Sequence, residues 1–113
     1  MSKWSNIIYA LVDPKTEEVR YVGKSKVGMR RPMNCLCSHM PAYDPEMQRW
    51  KSQFHGWTPR DRRMKVIHIL EILESSVDLF ARETFWIHHY ANLGHRLFNR
   101  NQMPKVDMKP AAP

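Results

Sequence analysis

The order of elements along the chain predicts an α+β domain, and three stretches carry that reading. Two apolar, β-branched runs flank a turn of Asp13, Pro14, Lys15 and Thr16; an isoleucine-rich run covers residues 64–73; and an apolar stripe at helical spacing covers residues 79–90. The expected elements, in chain order, are a hairpin, two helices, a third strand and a long final helix.

The hairpin comes first. Period-two alternation puts Ile7, Tyr9 and Leu11 on one side of the first strand, and Val19, Tyr21 and Gly23 together on its partner. With Leu11 facing Val19, Tyr9 lies directly opposite Tyr21, two phenols side by side with a glycine at their edge. Aromatic cross-strand pairs are also ordinary sheet stabilisers, worth a few tenths to about 1 kcal/mol, so the hairpin alone favours packing over chemistry.

A basic loop follows, Lys24 to Arg31. Pro32 disfavours helical backbone at Arg31, so a helix is expected to begin at the proline, with Met33 to Met40 as a short helix ending at Pro41. Asp44 caps a second helix with Pro45 at its first position, Trp50 and Phe54 on its buried face and Gly56 at its end. Thr58 to Arg63 reads as a charged loop. Met64 to Leu73 reads as the third strand, although its length also admits a helix. Ser75 or Ser76 starts the last helix, which runs to about Leu93 with Gly94 in the stop position. Residues 1–99 form one domain without repeats, and residues 100–113, rich in proline, lysine and small residues, read as a disordered tail.

Composition narrows the partners. Eighteen Lys and Arg against eleven Asp and Glu in 113 residues give a net charge of +7, and the isoelectric point is about 9.7. Such a domain attracts polyanions, nucleic acid first, although solvated basic surfaces and binders of acidic membranes share the feature. Cys35 and Cys37 have a spacing that suits neither a structural zinc site nor a disulfide framework and read as free thiols. Met1 to Asn6 has no apolar signal core, and no apolar run is long enough to span a bilayer, so a soluble cytoplasmic protein with no membrane partner is expected.

On the last helix Leu79, Phe80, Glu83, Trp86, Ile87 and Tyr90 fall on one face, with Glu83 in the middle of it. A carboxylate desolvated there costs several kcal/mol unless compensated, so a cation is expected beside it. Arg82 of a neighbour, Arg31 or another arginine would serve, as would a position at the rim of the stripe that reaches water. A divalent metal is the competing partner, because magnesium is commonly held by one or two carboxylates with waters and substrate phosphates as its other ligands.

Ile7-Ile8-Tyr9, then Tyr21-Val22-Gly23 after eleven intervening residues, Arg31 eight residues past Gly23, Glu83 within Arg82-Glu83-Thr84-Phe85-Trp86-Ile87, and Asn99 after Leu97-Phe98 together resemble the GIY-YIG nuclease superfamily. The resemblance spans Ile7 to about Asn99. It implies a small three-stranded, mainly antiparallel sheet flanked by helices, and a metal-dependent DNA endonuclease of the small free-standing type found in phage and mobile-element genomes. It implies Tyr9 as general base, Tyr21 orienting Tyr9 or the phosphate, Arg31 on phosphate oxygens, Glu83 holding one Mg2+ or Mn2+ ion, and Asn99 positioning backbone or phosphate groups. Lys24, Lys26 and Arg30 would contact the DNA backbone as sequence-independent charges. The setting would be the cytoplasm of a bacterial or phage-infected cell, with a transient dimer on DNA as one oligomeric option.

Three positions depart from the family pattern. Ile7 replaces its first glycine; Cys35 stands four residues after Arg31, where members often have a histidine, the nearest here being His39; and Pro32 falls inside the arginine-bearing helix, which leaves Arg30 as an alternative to Arg31. His39 is therefore a candidate site residue. His88 and His89 are adjacent on a helix and point apart, and His55, His68 and His95 lack partners at ligand spacing. Trp50 and Trp57 could stack on bases, with packing the more ordinary use. Two other functions stay open: a catalytically weakened or inactive relative that binds nucleic acid, and a basic adaptor that docks an acidic protein.

Overall fold

The computed structural model describes residues 5–36 and 45–99. Its central strand, β1 (Ile7–Val12), is buried along its whole length. A strand lies on each side of it: β2 (Val19–Ser25) and β3 (Ile67–Ile72) pair with it antiparallel, in the order β2-β1-β3. Both faces are also covered, and this is why β1 reads as a continuous apolar run rather than an alternating one. The architecture is α+β, a three-stranded antiparallel sheet flanked by helices.

Ile7, Tyr9 and Leu11 pack on one face with Leu36, Met47, Trp50, Phe54 and Val66. These come from or adjoin α1 (Arg30–Cys35), α2 (Pro45–Ser52) and α3 (Pro59–Lys65). Ile8, Ala10 and Val12 pack on the other face with Val22, Leu79 and Ile87, the last two from α4 (Leu79–Asn92).

The hairpin register differs from the alternation in the sequence. Leu11 pairs with Tyr21 and Tyr9 with Gly23, while Val12 pairs with Val19, so a bulge leaves Arg20 as an extra residue on β2. Tyr9 and Tyr21 are therefore diagonal, with ring centroids 6.4 Å apart and planes tilted by 44°. The bulge also turns Val19 to the Ile8 face, away from Tyr21. Its origin is a turn longer than four residues. Asp13 N donates to Glu18 O at 2.8 Å, Asp13 Oδ1 accepts from Lys15 N and Thr16 N, and Glu17 takes the left-handed conformation at φ 63°.

Helix boundaries moved for local reasons. α1 begins at Arg30, two residues before Pro32, because the amides of a first turn have no intrahelical acceptor and a proline there forfeits nothing. The ladder resumes at once, with Met33 N donating to Met29 O at 3.1 Å. This helix ends at Cys35; the expected extension to Met40, the stop at Pro41 and the cap at Asp44 lie outside the described residues. The expected charged loop is α3, since the Thr58 hydroxyl accepts from Asp61 N at 3.1 Å and Pro59 occupies the first position. α4 is capped by Asp78 rather than Ser75 or Ser76, its carboxylate accepting from Phe80 N and Ala81 N. It ends at Asn92, and Gly94, at φ +94°, turns the chain away. Residues 100–113 lie outside the described set, and among the described residues no helix is long and apolar enough to cross a membrane.

The segment after α4 closes the open edge of β2. Phe98 N donates to Arg20 O at 2.6 Å and Val19 N donates to His95 Nδ1 at 2.8 Å. Asn99 accepts from Val22 N at 2.9 Å and donates to Val22 O at 2.7 Å.

Candidate active site

Tyr9 reaches its position because residue 23 has no side chain. A Cβ built on Gly23 would lie 2.5 Å from both Cζ and Oη of Tyr9 and 2.9 Å from Cε2 of Tyr21. The Tyr9 phenol thus crosses β2 over the glycine and arrives at a cleft of about 390 Å³. Tyr9 from β1, Tyr21, Lys24 and Ser25 from β2, Lys26 from the following loop, Arg31 from α1 and Glu83 from α4 all line it. Arg31 lines the cleft and Arg30, one residue earlier, does not, while Pro32, which follows them, is buried.

Glu83 is only 2% exposed, and the cation beside it is a lysine. Lys24 Nζ donates to Glu83 Oε1 at 3.3 Å, longer than the 2.7–2.9 Å typical of a tight charge-assisted bond. Arg82, a partner expected from the sequence, is engaged elsewhere: its Nε and NH2 fork onto Glu71 at 2.8 and 3.1 Å, where Trp86 Nε1 also donates. That fork binds α4 to β3 and leaves the other flank of the helix to the cleft. Phe80, expected on the buried stripe, is 59% exposed, with Lys24 Nζ 5.9 Å from its ring centroid.

Both phenols are held protonated at neutral pH. Burial pushes Tyr9 well above the ordinary tyrosine value, with Cys35, Tyr21 and Glu83 acting in the same direction and Arg31 against them. Tyr21 is pushed up to about 12, again mainly by burial. Cys35, where the resembled family often has a histidine, lies beside Tyr9, and burial raises its thiol too, against Lys51, Arg31 and a hydrogen bond from Tyr9.

Asn99 is buried, and its two bonds to Val22 hold β2 one residue before Gly23. It positions backbone, as one of its two expected uses, and does not line the cleft. Lys24 and Lys26 line it. His39 lies outside the described residues.

Sequence reasoning missed two residues. Ser25 Oγ donates to Gly28 O at 2.8 Å and accepts from Val27 N at 3.0 Å, which shapes the basic loop; a serine two residues before a turn amide was the available signal. Lys51 is buried near Cys35, and a lysine in the last turn of a helix, favoured there by the dipole, offers no signal for that.

Among the described residues no group of three or more His, Cys, Asp and Glu gathers as a metal cage. The donor set is one carboxylate, Glu83, on the wall of an open cleft. That fits a hydrated magnesium or manganese ion sharing its shell with phosphate oxygens, and does not fit a metal held wholly by protein. Comparison with protein-family models, curated proteins and solved structures found no match to this chain.

Proposed function

We propose that the chain is a metal-dependent DNA endonuclease of the GIY-YIG type that its motifs resemble. The observation that carries this reading is the meeting of Tyr9, Tyr21, Arg31 and Glu83, drawn from β1, β2, α1 and α4, on one cleft. The net charge of +7 and the cleft lysines supply attraction for a phosphate backbone.

Water attacks phosphorus, the bond to the departing oxygen breaks, and that oxygen takes up a proton. Tyr9 Oη removes the proton from the attacking water, acting as phenolate. Tyr21, held above Gly23 beside it, orients the phenol or the phosphate. Arg31 forks onto phosphate oxygens and offsets the charge that develops on them, with a planar geometry an ammonium lacks. Glu83 would hold one Mg2+ or Mn2+ ion, which supplies positive charge near the departing oxygen when bound. Lys24, loosely paired with Glu83, is free to exchange that carboxylate for phosphate.

The high proton affinity of Tyr9 favours a second reading, a nucleic-acid binder with weak or absent catalysis. One experiment separates them. Supercoiled plasmid incubated with the protein and magnesium is nicked, and a chelator abolishes nicking; Glu83→Gln keeps plasmid retardation and loses cleavage. Retardation without nicking by the wild-type chain supports the binder, and undiminished nicking by Glu83→Gln refutes the metal assignment.

A further inference from the structure

A second hollow adjoins the cleft. It measures about 520 Å³ and is lined by Ser5, Val27, Gly28, Met29 and Ile69, with Arg63 of α3 among them. Val27 lines both hollows and is half exposed, so the two meet across a single side chain. The bonds from Ser25 to Gly28 and Val27, and Gly28 N donating to Ser5 O at 2.8 Å, fix the backbone of that ridge.

Cations line both hollows. Lys24, Lys26 and Arg31 line the first and Arg63 the second. α3 adds Arg60 and Lys65, both exposed, against one acid, Asp61. Arg62 is turned inward, its NH1 donating to Phe54 O at 3.2 Å, whereas Arg63 is exposed and enters none of the ion pairs among the described residues. Apolar Val27 and Ile69 in the same lining as the cation Arg63 suit sugar and base edges with a phosphate beside them.

We infer that the second hollow continues the first as a track for one nucleic-acid strand, with Arg63 receiving a phosphate beyond the reacting one. This rests on the reading of the first cleft as a nucleic-acid site. It gives a domain of this size a second hold on the backbone without an appended binding module.

The test measures binding of fluorescent duplexes to the full chain in chelator, so that nothing is cut, across a range of salt. The long duplex has about 18 pairs and at ~3.4 Å per pair covers about 60 Å. On the long duplex Arg63→Ala is expected to lower the slope of log affinity against log salt by about 0.9, the value for one phosphate contact. Arg63→Lys restores the slope, because the contact is one of charge.

An unchanged slope for Arg63→Ala on the long duplex overturns the track. Polyglutamate bound more tightly than the long duplex in an Arg63-dependent way overturns it in favour of an acidic protein partner. A chain that shows the Arg63 slope yet never nicks plasmid refutes the nuclease reading and leaves the track standing. One that nicks plasmid with no Arg63 dependence does the reverse.

Discussion

Gly23→Ala tests the geometry on which the cleft depends. The new methyl would sit 2.5 Å from Cζ and Oη of Tyr9 and 2.9 Å from Cε2 of Tyr21, where non-bonded carbons prefer about 3.5–4.0 Å. Relief requires a shift of about 1 Å. Tyr9 has little room to make it, being 1% exposed and packed among Ile7, Leu11 and Leu36. Overpacking of this kind costs about 1–3 kcal/mol, and at about 4–8 °C per kcal/mol the melting midpoint is expected to fall by about 5–20 °C. Misplacement of a reacting group by about 1 Å costs about 100-fold in rate, so plasmid nicking should fall further than the lost stability explains at a temperature where the variant is folded. Melting curves, urea midpoints and initial nicking rates measure both effects. Adding Tyr9→Phe removes one of the two closest contacts and should recover part of the stability, so the two substitutions are expected to be non-additive. A Gly23→Ala protein with unchanged midpoint and full activity would show that the phenol does not need the space above residue 23.

Asn99→Ala strips the partners from Val22 N and Val22 O, both bonded by its side chain in a buried setting. At about 1–3 kcal/mol for each of the two orphaned groups, a loss of about 2–6 kcal/mol is expected in urea denaturation, and an unchanged midpoint would mean the β2 edge is held by other bonds. The phenols set a pH dependence with two parts. Burial raises Tyr9, so the phenolate needed for catalysis is scarce near neutrality and nicking should increase about tenfold per pH unit between about pH 7 and 9; a flat profile would remove Tyr9 as the base. Tyr9 and Tyr21 both have folded values above the unfolded one, so their contribution to stability is complete below about pH 10. It is lost as pH rises from there through the folded value, which is about 12 for Tyr21. Urea midpoints at about pH 9 and 11 should therefore fall in that order, and equal midpoints would place the phenols in water.

The sequence by itself determined the kinds of element and their order. β-branched runs, a capping aspartate and a glycine stop act over a few residues, and local physics is enough to read them. A carboxylate on an apolar stripe announced that Glu83 has a cation near it, because desolvation cost follows from composition and spacing alone. Tertiary structure decided which cation. The Glu71 fork captures Arg82, and the reach of Lys24 from β2 supplies the partner instead. It also decided the register: the six-residue turn and the bulge at Arg20 pair Leu11 with Tyr21, two residues away from a register in which it faces Val19, so Tyr21 and Gly23 stay on the Tyr9 face and Val19 goes to the other. For that reason Tyr9 meets Gly23 rather than Tyr21. Packing likewise brings Arg31, and not Arg30, to the lining of the cleft, which no window around the arginines reveals. The tyrosines, arginine and glutamate were legible as residues because each is locally odd. Their convergence was not, since it depends on how far each side chain is turned by packing elsewhere in the chain.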